Sequence, residues 1–447
     1  MDGVKPSSGS EGVEEAISQH MRDEDMGDES LLRGKITGRD LELLAKRIGT
    51  PNPTLRTGMD VEPWNPSVTH RSVRKWAISI GDDNPLYVDA EHARRSRWGA
   101  IIAPPGFEWS MGWNRSPAVS KELYDETRFA LRGVQLFHSG AEYFYYRPLL
   151  ENIELFKSEW LANAEEKQSR FANRTVITTN QNAYWDLDEQ VCITSSRWFV
   201  HAERRSVDKD DGTKKNKKAV EPTSYSEENL RKIEEAYEAE YLRGTDTLYL
   251  EEVVVGQHLP VMVKGPLTVT DIINMHMGAG WITYTSLPFR LGYENRKRLK
   301  GFYSRNEFGA WDTIQRVHWD SELARSVGVP GIYDIGPMRY VMLCNYLTNF
   351  AGDDGFVHRI RYELRSFNYV GDTSWLTGRI VDARVDEELG PLIEVEVIST
   401  NQRGEQNMCG SATILVASRQ HGPVRLPKAP GMPQYRADKP TLPGLYV

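Results

Sequence analysis

The sequence predicts an α+β fold built from two tandem copies of one unit, each an antiparallel sheet that wraps a buried helix. Three observations carry this reading. First, Gly331 to Asn349 holds Ile332, Ile335, Met338, Val341, Met342, Leu343, Cys344 and Leu347. It is apolar nearly all round, as a helix enclosed on every side must be, and Pro337 is tolerated in its first turn. Second, the period then switches to two. Ile360, Tyr362 and Leu364 alternate with Arg359, Arg361, Glu363 and Arg365, and Ile393, Val395 and Val397 alternate with Glu394 and Glu396. That is the pattern of antiparallel strands with one buried and one wet face. Third, the plan recurs upstream: a Gly/Pro-led helix is expected near Pro105 to Trp113, then strands through Glu142–Tyr146, Thr175–Thr179 and Val191–Phe199.

The duplication is visible in the residues themselves. Val176-Ile177-Thr178-Thr179-Asn180-Gln181 returns as Val397-Ile398-Ser399-Thr400-Asn401-Gln402, and Asp89-Ala90-Glu91-His92-Ala93-Arg94 returns as Asp320-Ser321-Glu322-Leu323-Ala324-Arg325. Both matches keep their order, with offsets that differ by about ten residues, so one long unit lies on each side of a linker and no short-period solenoid is present. The linker begins with a charge run, Asp208 to Lys218, read as a solvated loop. After it, Pro222 to Glu228 supplies the cap and acidic first turn of a polar helix that runs to about Leu242 and stops at Gly244. Residues 1 to about 30 carry too few large apolar groups to offset ordering entropy and are expected to be disordered. The division is an acidic tail and lead-in at 1–55, an N-terminal unit at 56–205, the charged linker and helix at 206–244, a C-terminal unit at 245–420 and a Pro-rich extension at 421–447. A sheet wrapped around a buried helix is the hotdog arrangement, so the fold class is a double hotdog.

Composition narrows the function. The chain has 447 residues and a net charge of −8, without the basic stripe that phosphate neutralisation requires, so no nucleic-acid partner is expected. No apolar run approaches the roughly 18–20 residues that span a bilayer, and Met1 to Pro6 lacks the features of a signal peptide. Three cysteines (Cys192, Cys344, Cys409) without C-x-x-C spacing fit a reducing cytoplasm and exclude a disulfide framework or thiolate zinc site. Met275-His276-Met277 is read as packing, because no carboxylate or histidine stands at ligand spacing. The 12 Trp and 20 Tyr serve either core packing or an aromatic-lined pocket.

Chemistry enters with two motifs. Gly81-Asp82-Asp83-Asn84-Pro85-Leu86-Tyr87, followed by Ile101-Ile102-Ala103-Pro104-Pro105, resembles the N-terminal domain of MaoC-like dehydratases. His318-Trp319-Asp320 with Ala324, Gly328, Ile332 and Gly336 resembles the MaoC-type second half of the same double-hotdog proteins, a group that includes the (R)-specific enoyl-CoA hydratases. The likeness covers about residues 60 to 420. It implies a lyase of hydratase/dehydratase type acting on an α,β-unsaturated or β-hydroxy acyl thioester, with no cofactor and a homodimeric assembly. In that family an Asp and a His within G-D-x-N-P-hydrophobic-His activate one water and shuttle its proton. A backbone N–H at the start of the buried helix stabilises the enolate-like oxygen. Gly331 and Gly336 are the candidates for that donor here, and Asn84 and Tyr333 the candidates for further substrate contacts.

The sequence departs from the family pattern in both halves. The N-terminal copy keeps Asp82, Asn84 and Pro85 but has Tyr87 where the family has His. The C-terminal copy keeps His318, aligned to Tyr87 through the shared Asp-x-Glu-x-Ala-Arg, yet Thr313 holds the Asp position and Asp312 precedes it. The candidate catalytic residues are therefore His318, Asp312, Asp82 and Tyr87. Each has a plainer reading: a structural hydrogen bond for His318, a solvated loop position for Asp312, an Asx turn for Asp82, and a space-filler for Tyr87. Asp89 and Asp320 read as helix N-caps, and Arg94, Arg95 and Arg97 as contacts for CoA phosphates or a solvated helix face. Two alternatives to thioester hydration stay open: a lyase acting on a bulky aromatic substrate without CoA, and a non-catalytic hotdog that binds acyl groups or supports a partner chain.

Overall fold

The computed structural model describes residues 34–51, 62–131, 133–167, 174–203, 223–280, 287–298, 302–327 and 329–438. Most of the acidic tail and the charge run at 208–218 lie outside the described residues. Ten strands form one sheet. The N-terminal half contributes β1 (Trp113–Asn114), β2 (Gln135–Tyr145), β3 (Phe156–Lys167), β4 (Thr175–Trp185) and β5 (Val191–Ala202). The C-terminal half contributes β6 (Met262–Lys264), β7 (Phe356–Leu364), β8 (Ser374–Asp386), β9 (Gly390–Asn401) and β10 (Gln406–Leu415). The strand order is β1-β3-β4-β5-β2-β7-β10-β9-β8-β6, so each half repeats one connectivity. The repeated Val-Ile motif falls on β4 and β9, the third long strand of each half. Asp89 and Asp320 cap equivalent short helices, each accepting two backbone N–H groups.

The two hotdog sheets are fused where β2 pairs antiparallel with β7, with Arg359 opposite Phe144 and Tyr362 opposite Ala141. Arg359 Nε donates to Glu142 across this seam at 2.7 Å. Gly140 permits the close approach: a Cβ there would lie 2.4 Å from the Tyr362 carbonyl oxygen. Gly140→Ala is therefore expected to cost about 2–4 kcal/mol, as overpacking against backbone does. An unchanged midpoint in chemical denaturation would show that the seam is looser than this geometry.

Three helices position the site: α1 (His70–Ile80), α2 (Val269–Ala279) and α3 (Gly336–Ala351). In α3 every residue except Gly336 and Met342 is buried, which is why the sequence is apolar all round. Its one buried cation, Arg339, is neutralised by Asp334 at 2.9 Å and donates to the carbonyls of Ser366 and Asn407. The helix starts later than Gly331 because the lead-in is extended, with Tyr333 bridging to Tyr369.

The helix expected near Pro105 to Trp113 does not form; a single 3-10 turn, Phe107–Ser110, stands in its place. Gly106 (φ 101°) and Gly112 (φ 94°) bracket that turn in left-handed backbone and stop it from propagating. The N-terminal sheet thus lacks a counterpart of α3. Helices α1 and α2 pack together and are built alike, each with a Thr capping box (Thr69–Ser72, Thr268–Asp271) and a left-handed C-cap glycine (Gly81, Gly280). The C-terminal extension folds back on the N-terminal half, with Ala437 N–H donating to the Arg115 carbonyl at 2.8 Å and Tyr435 against Trp160. Among the described residues no helix is long and apolar enough to cross a membrane.

Candidate functional site

The space left by the missing helix is a cavity of about 390 Å³, the size of pockets that hold small organic ligands. Its floor is the inner face of the N-terminal sheet. Lys157 and Glu159 on β3 stand opposite Tyr184 and Asn182 on β4, and Arg197 on β5 completes the row. Trp109 and Ser110 of the 3-10 turn border it, and Trp64 covers Gly280 at one side. The far wall comes from the other half: His276 of α2, then Gln315, His318, Ile335 and Pro337.

His318 ends a 3-10 turn, Ile314–His318, whose N-cap is Thr313. The residue at the family's Asp position thus builds the turn that presents the histidine. His318 Nδ1 lies 3.0 Å from the Tyr333 carbonyl oxygen. A carbonyl only accepts, so Nδ1 carries the proton and the neutral ring leaves its Nε2 lone pair to accept one. Burial lowers the imidazole pKa to about 4 against the opposing pull of that hydrogen bond, so the ring is neutral at pH 7. His276 sits 6.5 Å away between ring centroids, its pKa lowered to about 3 by burial and then by His318.

Of the four candidate catalytic residues, His318 alone lines this cavity. Asp312 lies on a two-stranded hairpin, Tyr303–Arg305 with Trp311–Thr313, where its carboxylate accepts from Thr313 N–H at 2.7 Å and does not reach the cavity. Asp82 is buried outside the cavity wall, accepting from Asn84 N–H at 3.0 Å, and burial raises its pKa to about 6. Tyr87 is buried against Thr348 and lines a void of about 50 Å³, room for a few waters only. Asn84 is also structural here: it caps Leu86 N–H and meets Asn349 at 3.2 Å.

The proposed substrate contacts divide in the same way. Gly336 opens α3 between Ile335 and Pro337, both in the cavity wall, and a Cβ on it would come within 3.0 Å of His138. Gly331 and Tyr333 lie outside the wall, and Tyr333 instead orients His318 through its carbonyl and an edge-on ring at 4.8 Å. Arg97 is tied to the carbonyls of Asp354 and Val424, and Arg95 pairs with Glu91 along an exposed helix face.

The broken motif has a topological cause. In the N-terminal half Asp82 follows the α1 cap Gly81 directly, whereas residues 281 to 312 intervene between the α2 cap Gly280 and Thr313. That insert carries the helix Phe289–Arg298 and the hairpin. It separates the Asp position from the helix end that places it in the other copy.

Arg197, Glu159, Asn182, Tyr184 and Gln315 were not singled out by the sequence, and His276 was assigned to packing. A signal existed: Asn180, Asn182 and Tyr184 recur at period two on β4, as do Ser195 and Arg197 on β5. One buried face of these strands is therefore polar, which a sheet covered by an apolar helix would not tolerate.

The fold is a fused double hotdog with two histidines, His276 and His318, in the wall of one cavity. Residues 56–194 match the family model described as "FAS1-like, dehydratase domain region". A "UPF0336 protein" from Streptomyces griseus subsp. griseus is 30% identical over 82 residues, 18% of this chain and 52% of that protein. One from Thermobifida fusca is 32% identical over 88 residues, 20% of this chain and 54% of that protein. The chain spans about half the length of these curated relatives. A solved structure titled "MaoC-like dehydratase" superposes with a TM-score of 0.53 at 15% identity, covering 83% of this chain and 99% of that one, a likeness of fold. Residues 56–194 are thus similar to a dehydratase-region family model, and the chain as a whole has the double-hotdog fold.

Proposed function

We propose that the protein is a hydro-lyase that adds water to, or removes it from, an α,β-unsaturated or β-hydroxy acyl thioester, with His318 as the acid/base. The observation that carries this is the Nδ1–H···O=C bond to Tyr333, which fixes the tautomer whose Nε2 is a base. In the hydration direction Nε2 takes a proton as the water oxygen bonds the β-carbon. The electron pair of the double bond moves to the acyl oxygen as an enolate. The imidazolium then returns the proton to the α-carbon, so one water is added and the base is regenerated. The start of α3, between Ile335 and Pro337, supplies the positive end of a helix dipole to that oxygen. In this reading Gln315, in the same wall, orients the water. With neither Asp82 nor Asp312 in the cavity, this reading gives His318 both proton-transfer roles.

The test is a spectrophotometric assay of the purified chain with short enoyl thioesters, scored by loss of the enoyl absorbance. Saturable hydration is expected; no turnover of any thioester, with turnover of an aromatic substrate lacking CoA, would move the assignment to the second reading. That reading is favoured by one feature, the aromatic border of Trp64, Trp109 and Tyr184.

A further inference from the structure

Three buried donors on or beside the cavity floor lack an acceptor. Arg197 is only 8% exposed, and its guanidinium carbon lies 4.1 Å from the Trp109 ring centroid. One Nη2 N–H goes to the Tyr184 hydroxyl at 3.0 Å, while Nε–H meets nothing. Asn182 Nδ2 is unpartnered as well, and so is the hydroxyl of Ser195, which stands opposite Asn182 in register. The neighbouring acids act on Arg197 only at a distance, through charge, and direct their hydrogen bonds to other groups. Glu159, in the same cavity, accepts from Asn180 Nδ2 at 3.2 Å. Glu108 accepts from Gly106 N–H at 2.8 Å and from the Tyr145 hydroxyl at 3.1 Å. Among the described residues no carboxylate forms an ion pair with Arg197.

A buried charge without a carboxylate in direct contact is costly. The Trp109 ring attracts the charge but offers the Nε–H edge no oxygen lone pair. A guanidinium whose Nε–H lacks an acceptor can offer that N–H, together with its charge, to a carboxylate oxygen.

We infer that this floor is a carboxylate subsite: the cavity takes an unsaturated or β-hydroxy acid whose free carboxylate is held by Arg197, with Asn182 and Ser195 on its remaining lone pairs. The reacting carbons of that compound lie toward the His318 wall. The binding stands on the cavity alone. That the bound compound is the substrate, an acyl group bearing a second carboxylate, rests on the hydro-lyase reading.

Calorimetric titration of the full-length protein with fumarate and with dimethyl fumarate tests the subsite. The diacid is expected to bind about tenfold more tightly or better than its neutral ester, since charged hydrogen bonds of this kind are worth about 1.5–3 kcal/mol. Arg197→Met should lose that advantage, and Arg197→Lys, which keeps the charge without the fork, should retain only part of it. Equal binding of acid and ester, no fumarate binding, or full affinity in Arg197→Met overturns the subsite. If circular dichroism shows Arg197→Met unfolded, the ester comparison and Arg197→Lys decide. A protein that binds fumarate through Arg197 yet hydrates no thioester keeps the subsite and loses the hydro-lyase reading.

Discussion

On the proposed hydro-lyase reading, replacing His318 with asparagine is expected to lower kcat/KM by roughly 10²–10⁴, the usual contribution of a positioned acid/base. Asparagine can still donate its amide N–H to the Tyr333 carbonyl, so the turn Ile314–His318 is preserved while the proton acceptor is lost. The wild-type acid limb attributable to this group falls near pH 4 and not near 6.5, because burial keeps the imidazole neutral down to that pH. A limb at 6.5 would mean a ring solvated in the working enzyme, and unchanged turnover in the variant would end the assignment. The same shift carries a stability term with a definite sign. The folded pKa lies below the unfolded value, so the unfolded chain gains its proton first as pH falls. Stability from this ring is complete above about pH 6.5 and is lost between there and pH 4. His276 acts in the same direction. Urea melts of His318→Asn should therefore lose less stability than the wild type over that window.

Asp82→Asn has the opposite sign and tests whether the stranded carboxylate is structural. Burial raises its pKa from 3.8 to about 6, so this group favours the fold below pH 3.8 and loses that contribution as pH rises through 6. Two pKa units correspond to about 3 kcal/mol. Asparagine keeps an oxygen for the Asn84 N–H but places an amide where Oδ2 has no partner. The net gain expected at pH 8 is about 1–2 kcal/mol, shrinking toward zero or below near pH 4. Turnover should persist, since Asp82 does not line the 390 Å³ cavity. A variant that folds well but is inactive would return Asp82 to the catalytic machinery.

These two residues also show how far the sequence was legible. The Asp-x-Glu-x-Ala-Arg repeat identified equivalent helices, and both Asp residues do cap them. Alternation at Ile360, Tyr362, Ile393 and Val395 located strands β7 and β9, because a one-face burial pattern has a fixed period. The upstream helix failed for a local reason, two glycines in left-handed backbone, whose consequence reached the whole site. Candidate pairing failed for a global one. Asp312 is close to His318 in sequence, but a hairpin register turns its carboxylate onto Thr313.

By itself the sequence determined the tandem α+β plan, the buried central helix and the surviving histidine, since each is written in periodicity or in a short repeated motif. Only the tertiary structure decided where a ligand has room. The cavity exists because one helix is missing from one half, and its walls come from β3, β4, β5, α2 and the start of α3, segments spread along the chain from Phe156 to Pro337. No local pattern encodes a void or the company a side chain keeps across it. That is why Arg197 reads as one more arginine in a strand and proves, once folded, to be a buried cation in the lining of the cavity.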